Sequence, residues 1–111
     1  MEARLRIYGI KTCDSCRKAV KALGGAEAVE FVDVRSTGLS EEELNRFVAA
    51  FGDALVNRKS KTWRDLDGSA RDGSSVELIA KNPTLMKRPV IDGPQGLTLG
   101  WSAEIESRHR P

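Results

Sequence analysis

The chain has 111 residues, 40% of them hydrophobic and 31% charged, with a formal net charge of +2. This is the size of one domain with one modest core. No apolar run reaches the roughly eighteen residues of a membrane span, and Lys and Arg are dispersed without a dense block, so neither membrane insertion nor direct nucleic-acid binding is expected.

The N-terminal residues lead straight into a strand pattern without the outline of a signal sequence, which predicts a cytoplasmic protein. Arg4 to Tyr8 alternates like a strand, and Gly9 to Thr12 reads as a loop. From Asp14 the period changes. Cys16, Ala19, Val20 and Leu23 stand at helical spacing and share one face, and Gly24-Gly25 ends that helix. Val29 to Val34 is a second strand, completing a β-α-β unit long enough for a parallel crossover.

Leu39 to Phe51 is predicted to be a helix, with Ser40 and Glu43 as a capping box, a buried stripe of Leu44, Phe47, Val48 and Phe51, and Gly52 as its stop. Leu55 to Arg64 reads as a cation-bearing surface loop, and Asp67 to Gly73 as a second loop. Ser74 and Glu77 form another capping box, with Val76, Ile79 and Ala80 turned inward behind it. Asn82-Pro83 predicts a new helix capped by the asparagine. Pro89 to Ile91 and Leu97 to Leu99 flank Asp92 to Gly96, a hairpin with a five-residue loop. Ser102 is expected to cap a short helix through Ile105, with Glu106 to Pro111 frayed beyond it.

The element order predicts an α/β thioredoxin-like fold, a mixed four-stranded sheet with helical material inserted at approximately residues 38–80 of a single 1–111 domain. A proline opening the third strand fits this arrangement, because a cis Arg88-Pro89 bond would present backbone groups beside an active sulfur.

Both cysteines lie in Cys13-Asp14-Ser15-Cys16, at the start of the first helix. A sulfur there meets unpaired backbone N–H groups and the positive end of the helix dipole, which favour the thiolate, and Lys11 and Arg17 add positive charge. Asp14 opposes them. Cys13 precedes the helix and is the expected nucleophile, whereas Cys16 begins the apolar stripe and is the candidate resolving thiol. No metal is expected, since two thiols and a distant His109 do not make the usual four-ligand zinc set. Arg88, beside Pro89, and Arg17, one turn from Cys13, are candidates to hold an oxyanion or carboxylate, followed by Arg58 and Arg64.

Tyr8-Gly9-Ile10-Lys11, Cys13-Asp14, Arg17-Lys18-Ala19, Asn57-Arg58, Ser60, Thr62-Trp63-Arg64, Leu66, Asn82-Pro83, Leu85-Met86-Lys87-Arg88-Pro89-Val90 and Leu99-Gly100-Trp101 follow one another in an order that closely resembles the ArsC/Spx family, particularly its YffB-like branch. The resemblance covers Leu5 to Ile105. It implies that Cys13 is the family nucleophile, which in arsenate reductases attacks arsenate and is then attacked by glutathione. It also implies that Arg88 is the arginine that holds the oxyanion.

The chain departs from those reductases in having Gly9-Ile10-Lys11 in place of His-Asn-Pro, and Asn57 near a family arginine that Arg58 could replace. Nothing obvious replaces a further Arg-Pro near Gly100-Trp101. Cys16 resembles the redox switch of the Spx regulators, whose intramolecular disulfide alters binding to RNA polymerase. The expected function is therefore a monomeric glutathione-dependent thiol–disulfide oxidoreductase, with no bound cofactor, glutathione as reducing co-substrate and a small oxidised or oxyanion substrate. The alternatives are a redox-responsive regulator that binds RNA polymerase and a glutathione-coupled arsenate reductase. Lys11, Arg17, Arg58, Arg64, Arg88 and Pro89 are the expected binding residues, with Arg88 also serving catalysis beside Cys13 and Cys16.

Overall fold

A computed structural model describes residues 5–110, so the predicted strand residue Arg4 and the terminal Pro111 lie outside the described residues. The chain divides into two compact units, one built from the stretches up to Val34 and from Arg88 onward, the other from Arg35–Lys87.

The first unit contains strands β1 (Leu5–Gly9), β2 (Val29–Asp33), β3 (Val90–Gly93) and β4 (Gly96–Leu99) in the order β2-β1-β3-β4. β2 runs parallel to β1, while β1–β3 and β3–β4 are antiparallel, which is the expected mixed sheet. Helix α1 (Asp14–Ala22) makes the crossover between β1 and β2. Strand alternation puts Ile7, Val29 and Ile91 on one sheet face, where they pack with Ala19 and Leu23. Leu5, Val20, Phe31, Trp101 and Ile105 lie partly buried against this core. Burying such residues is worth about 1.5–3 kcal/mol each, so the platform beneath the cysteines is firmly held.

Three local readings change. β2 stops at Asp33, and Val34 opens a short helix α2 (Val34–Thr37). The hairpin is tighter than expected: Gly93 pairs with Gly96, whose φ of +108° suits glycine, and only Pro94-Gln95 remain between the strands. Residues 106–109 are helical where fraying was expected. Helix α6 (Ala103–His109), capped by Ser102, continues to a His109 that is 5% exposed and whose Nε2 lies 2.9 Å from the Thr98 hydroxyl. A polar tail read in isolation hides this partner on a distant strand.

Burial, followed by the nearby Arg108 charge, lowers the His109 pKa, with Asp92 opposing. The unfolded chain therefore binds the His109 proton more readily. The stability from neutral His109 is fully present above its unfolded pKa of about 6.5 and is lost as pH falls through and below that value. Urea midpoints are expected to drop more steeply between pH 7 and 5 in wild type than in His109→Gln. Parallel pH profiles would contradict this linkage.

In the second unit, α3 (Glu41–Phe51) carries the complete Ser40–Glu43 capping box, and Gly52 turns the chain at φ +59°. The predicted surface loop at 55–64 is more structured than its polarity suggests. Leu55 and Val56 are buried, Val56 bridges Met86, and Ser60 caps helix α4 (Lys61–Asp65) through the Trp63 N–H. Helix α5 (Ser75–Lys81) has the expected Ser74–Glu77 box, but Leu78 turns inward and Ala80 is exposed. Asn82 does not cap the next turn with its side chain; it donates to the Leu78 carbonyl, and Pro83–Leu85 forms a single 3-10 turn.

Candidate functional site

Cys13 is the N-cap residue of α1, with extended backbone and no side-chain capping bond. Its backbone N–H donates to the Ile10 carbonyl at 3.0 Å, folding the preceding loop tightly onto the helix start. The same loop is held from the sheet: the Lys11 N–H donates to the buried Asp33 carboxylate at 3.0 Å. Sequence reading missed Asp33, because its place in the hydrophobic second strand gives no sign that it reaches the cysteine loop.

The two sulfurs differ sharply. Cys13 is partly exposed, and Cys16, facing the core, is fully buried. Partial burial disfavours the Cys13 anion, yet hydrogen bonds from the Cys16 backbone N–H and thiol, with hydrogen bonding and positive charge from Arg88, outweigh it. The Cys13 thiol is thereby held below its ordinary value. Burial pushes the Cys16 thiol up to about 12, with a hydrogen bond from the Ile10 backbone opposing and the Cys13 charge reinforcing the shift. Both are free thiols, one with its anion favoured and the other held neutral beside it.

Arg88 and Pro89 reach this point from the start of β3, and the Arg88–Pro89 peptide bond is cis. Pro89 is fully buried and its carbonyl accepts from the Gly100 N–H at 2.8 Å, fixing the segment that carries Arg88.

Gly9, read from sequence only as loop and motif, also makes room for Cys16. A Cβ there would collide with Cys16 Sγ, so the absent side chain is what lets the buried thiol sit over the end of β1. Gly9→Ala is expected to cost about 1–3 kcal/mol through overpacking, and Gly9→Ala combined with Cys16→Ala to recover much of that loss. Chemical denaturation of the two single variants and the double variant measures this coupling. Additive losses would show that the two positions do not share space.

The remaining candidates have other engagements. The Arg17 guanidinium lies 3.3 Å from both the Asp14 carboxylate and the Thr12 carbonyl, an exposed arrangement of small energetic weight. It offsets the acidic neighbour of Cys13. The Lys11 side chain is exposed. Arg58 and Arg64 belong to the second unit, where Arg58 stacks 5.3 Å from the Trp63 ring centre and Arg64 donates to the Lys59 carbonyl at 2.9 Å. Arg71, not singled out from sequence, stacks on the same ring and donates to the Trp63 carbonyl. Among the described residues no three His, Cys, Asp or Glu side chains gather in a metal-binding cluster, and no helix is long and apolar enough to cross a membrane.

A model of the ArsC family matches residues 8–106. An uncharacterized protein of Haemophilus influenzae is 39% identical over 93 residues, spanning 78% of this chain and 82% of that protein. The global transcriptional regulator Spx of Streptococcus pyogenes is 31% identical over 101 residues, or 84% of this chain and 75% of the regulator. Among solved structures, a YffB protein is similar with a TM-score of 0.83 at 30% identity, covering 96% of this chain and 99% of its own.

Proposed function

Because the chain belongs to the ArsC family, we propose that it is a cytoplasmic, glutathione-dependent thiol–disulfide oxidoreductase with Cys13 as nucleophile. The observation that carries this reading is the asymmetry of the two thiols, one partly exposed with a lowered pKa and the other buried with a raised one. In the proposed cycle the Cys13 thiolate attacks the glutathione sulfur of a glutathione mixed disulfide, the S–S bond breaks, and the substrate sulfur leaves with the electron pair as a thiolate while glutathione stays on Cys13. Glutathione thiolate then attacks the Cys13 mixed disulfide, regenerating the Cys13 thiolate and leaving oxidised glutathione. Alternatively Cys16 gives up its proton and attacks the Cys13 sulfur, the Cys13–glutathione bond breaks, and glutathione leaves as a thiolate from a Cys13–Cys16 disulfide that further glutathione reduces. Arg88 is the proposed clamp for an anionic substrate group or a glutathione carboxylate.

A second reading is a redox-responsive regulator that binds RNA polymerase. Two free thiols within hydrogen-bonding reach, in a chain similar to Spx regulators, favour keeping it. A third is glutathione-coupled arsenate reduction. One experiment separates them: wild type and Cys16→Ser are supplied with glutathione and either a model glutathione mixed disulfide or arsenate, and turnover and intact mass are followed. Turnover of the disulfide, with Cys16→Ser either retaining activity or accumulating an adduct on Cys13, is the expected result. No turnover of either substrate, together with stoichiometric co-purification with polymerase, would transfer the assignment to the regulator.

A further inference from the structure

Beside the cysteines, on the β2 side of α1, lies a cleft of about 370 Å³ within the first unit. Phe31 and Val20, both only half-buried, give it apolar walls, and Cys16 lies beneath. Lys11, Arg17 and Lys21 stand exposed around it. Arg17 shares its charge with Asp14, whereas Lys11 and Lys21 bring two further cations. Pockets of a few hundred Å³ with apolar walls and a few charged groups suit small organic ligands. Here the charges are all of one sign.

We propose that this cleft is a substrate subsite for an aromatic, anionic group, and that it receives the aryl carboxylate or aryl sulfonate arm of a disulfide whose sulfur is attacked by Cys13. The inference rests on the proposed thiol–disulfide activity and adds the class of thiol that the protein selects. An aromatic ring can pack on Phe31 and Val20 while its acid meets the lysines at the rim, with cation–π contact from the same side chains. A neutral aliphatic arm gains neither contact. An aliphatic anion gains only long-range attraction, which salt screens. When the arm is released it leaves as an aryl thiolate carrying the electron pair of the broken S–S bond, so no other reactant is needed.

The test uses the full chain. In Cys13→Ser, which can undergo no exchange at that position, titration with unreactive 2-naphthalenesulfonate is expected to shift the backbone amides of residues 20–25 and 29–31 saturably. Adding Lys21→Glu is expected to weaken that binding by at least about fivefold. In the otherwise wild-type chain, Lys21→Glu is expected to slow the reaction of Cys13 with 5,5′-dithiobis(2-nitrobenzoate) more than its reaction with the aliphatic anion dithiodiglycolate. The rates with uncharged 2,2′-dithiodipyridine and with iodoacetamide are expected to stay unchanged. Shifts scattered over the surface, no saturation, or equal slowing of the aromatic and aliphatic anions would overturn the subsite. If naphthalenesulfonate fails to bind while glutathione-linked turnover persists, only this inference falls; binding without turnover counts against the proposed activity instead.

Discussion

Cys13→Ser is expected to reduce glutathione-linked disulfide turnover to the uncatalysed background, a loss of at least about three orders of magnitude. No other group can take over the attack. The one remaining cysteine is fully buried, and that burial, the largest cause of its raised pKa, persists in the variant and disfavours its thiolate. A hydroxyl in place of Sγ is a far weaker nucleophile and leaving group. The fold should survive, because Cys13 occupies the N-cap of α1 without making a side-chain capping bond, and serine is among the residues preferred there. A thermal midpoint equal to or above that of wild type, measured on the same samples as the turnover, keeps loss of chemistry distinct from loss of structure. Substantial turnover in Cys13→Ser would remove this cysteine from the mechanism.

Arg88→Ala is expected to have the next largest effect, and it should act twice. The guanidinium helps hold the Cys13 thiol low through a hydrogen bond and its positive charge, so removing it raises that pKa. A rise of one unit leaves roughly tenfold less thiolate at a pH below both values. A second loss would come from anion binding, visible as a raised KM for glutathione. Arg88→Lys separates the two. It keeps a positive charge near the sulfur but not the planar fork, so the alkylation profile should move less than in Arg88→Ala while the KM still rises. Wild-type values of both quantities in Arg88→Lys and Arg88→Ala would exclude Arg88 from the site.

The elements that sequence reading recovered are those whose signals are local. Helical spacing of Cys16, Ala19, Val20 and Leu23, and the Ser40–Glu43 and Ser74–Glu77 boxes, each specify structure within a few residues. The same locality distinguishes the cysteines: three positions along a helix separate an N-cap sulfur from a core-facing one. What sequence reading missed depends on contacts made by distant residues. Thr98 is what orders His109, and Met86 is what turns Val56 into a bridge. Gly9 acquires its meaning from the sulfur that lies over it, and Asp33 from the Lys11 N–H it accepts. At Arg17, the Asp14 carboxylate and the Thr12 carbonyl engage the guanidinium, and the arginine that lowers the thiol comes from the start of β3.

The central claim, that Cys13 is the activated thiol and Cys16 its shielded partner, is tested most directly by alkylating the reduced wild-type protein with iodoacetamide across pH and reading each cysteine by peptide mass. The expected profile has Cys13 modified first at every pH, with a midpoint below that of an unperturbed thiol, while Cys16 stays unmodified until the solution is strongly alkaline. Faster modification of Cys16, or a Cys13 midpoint at or above the ordinary value, would contradict the assignment.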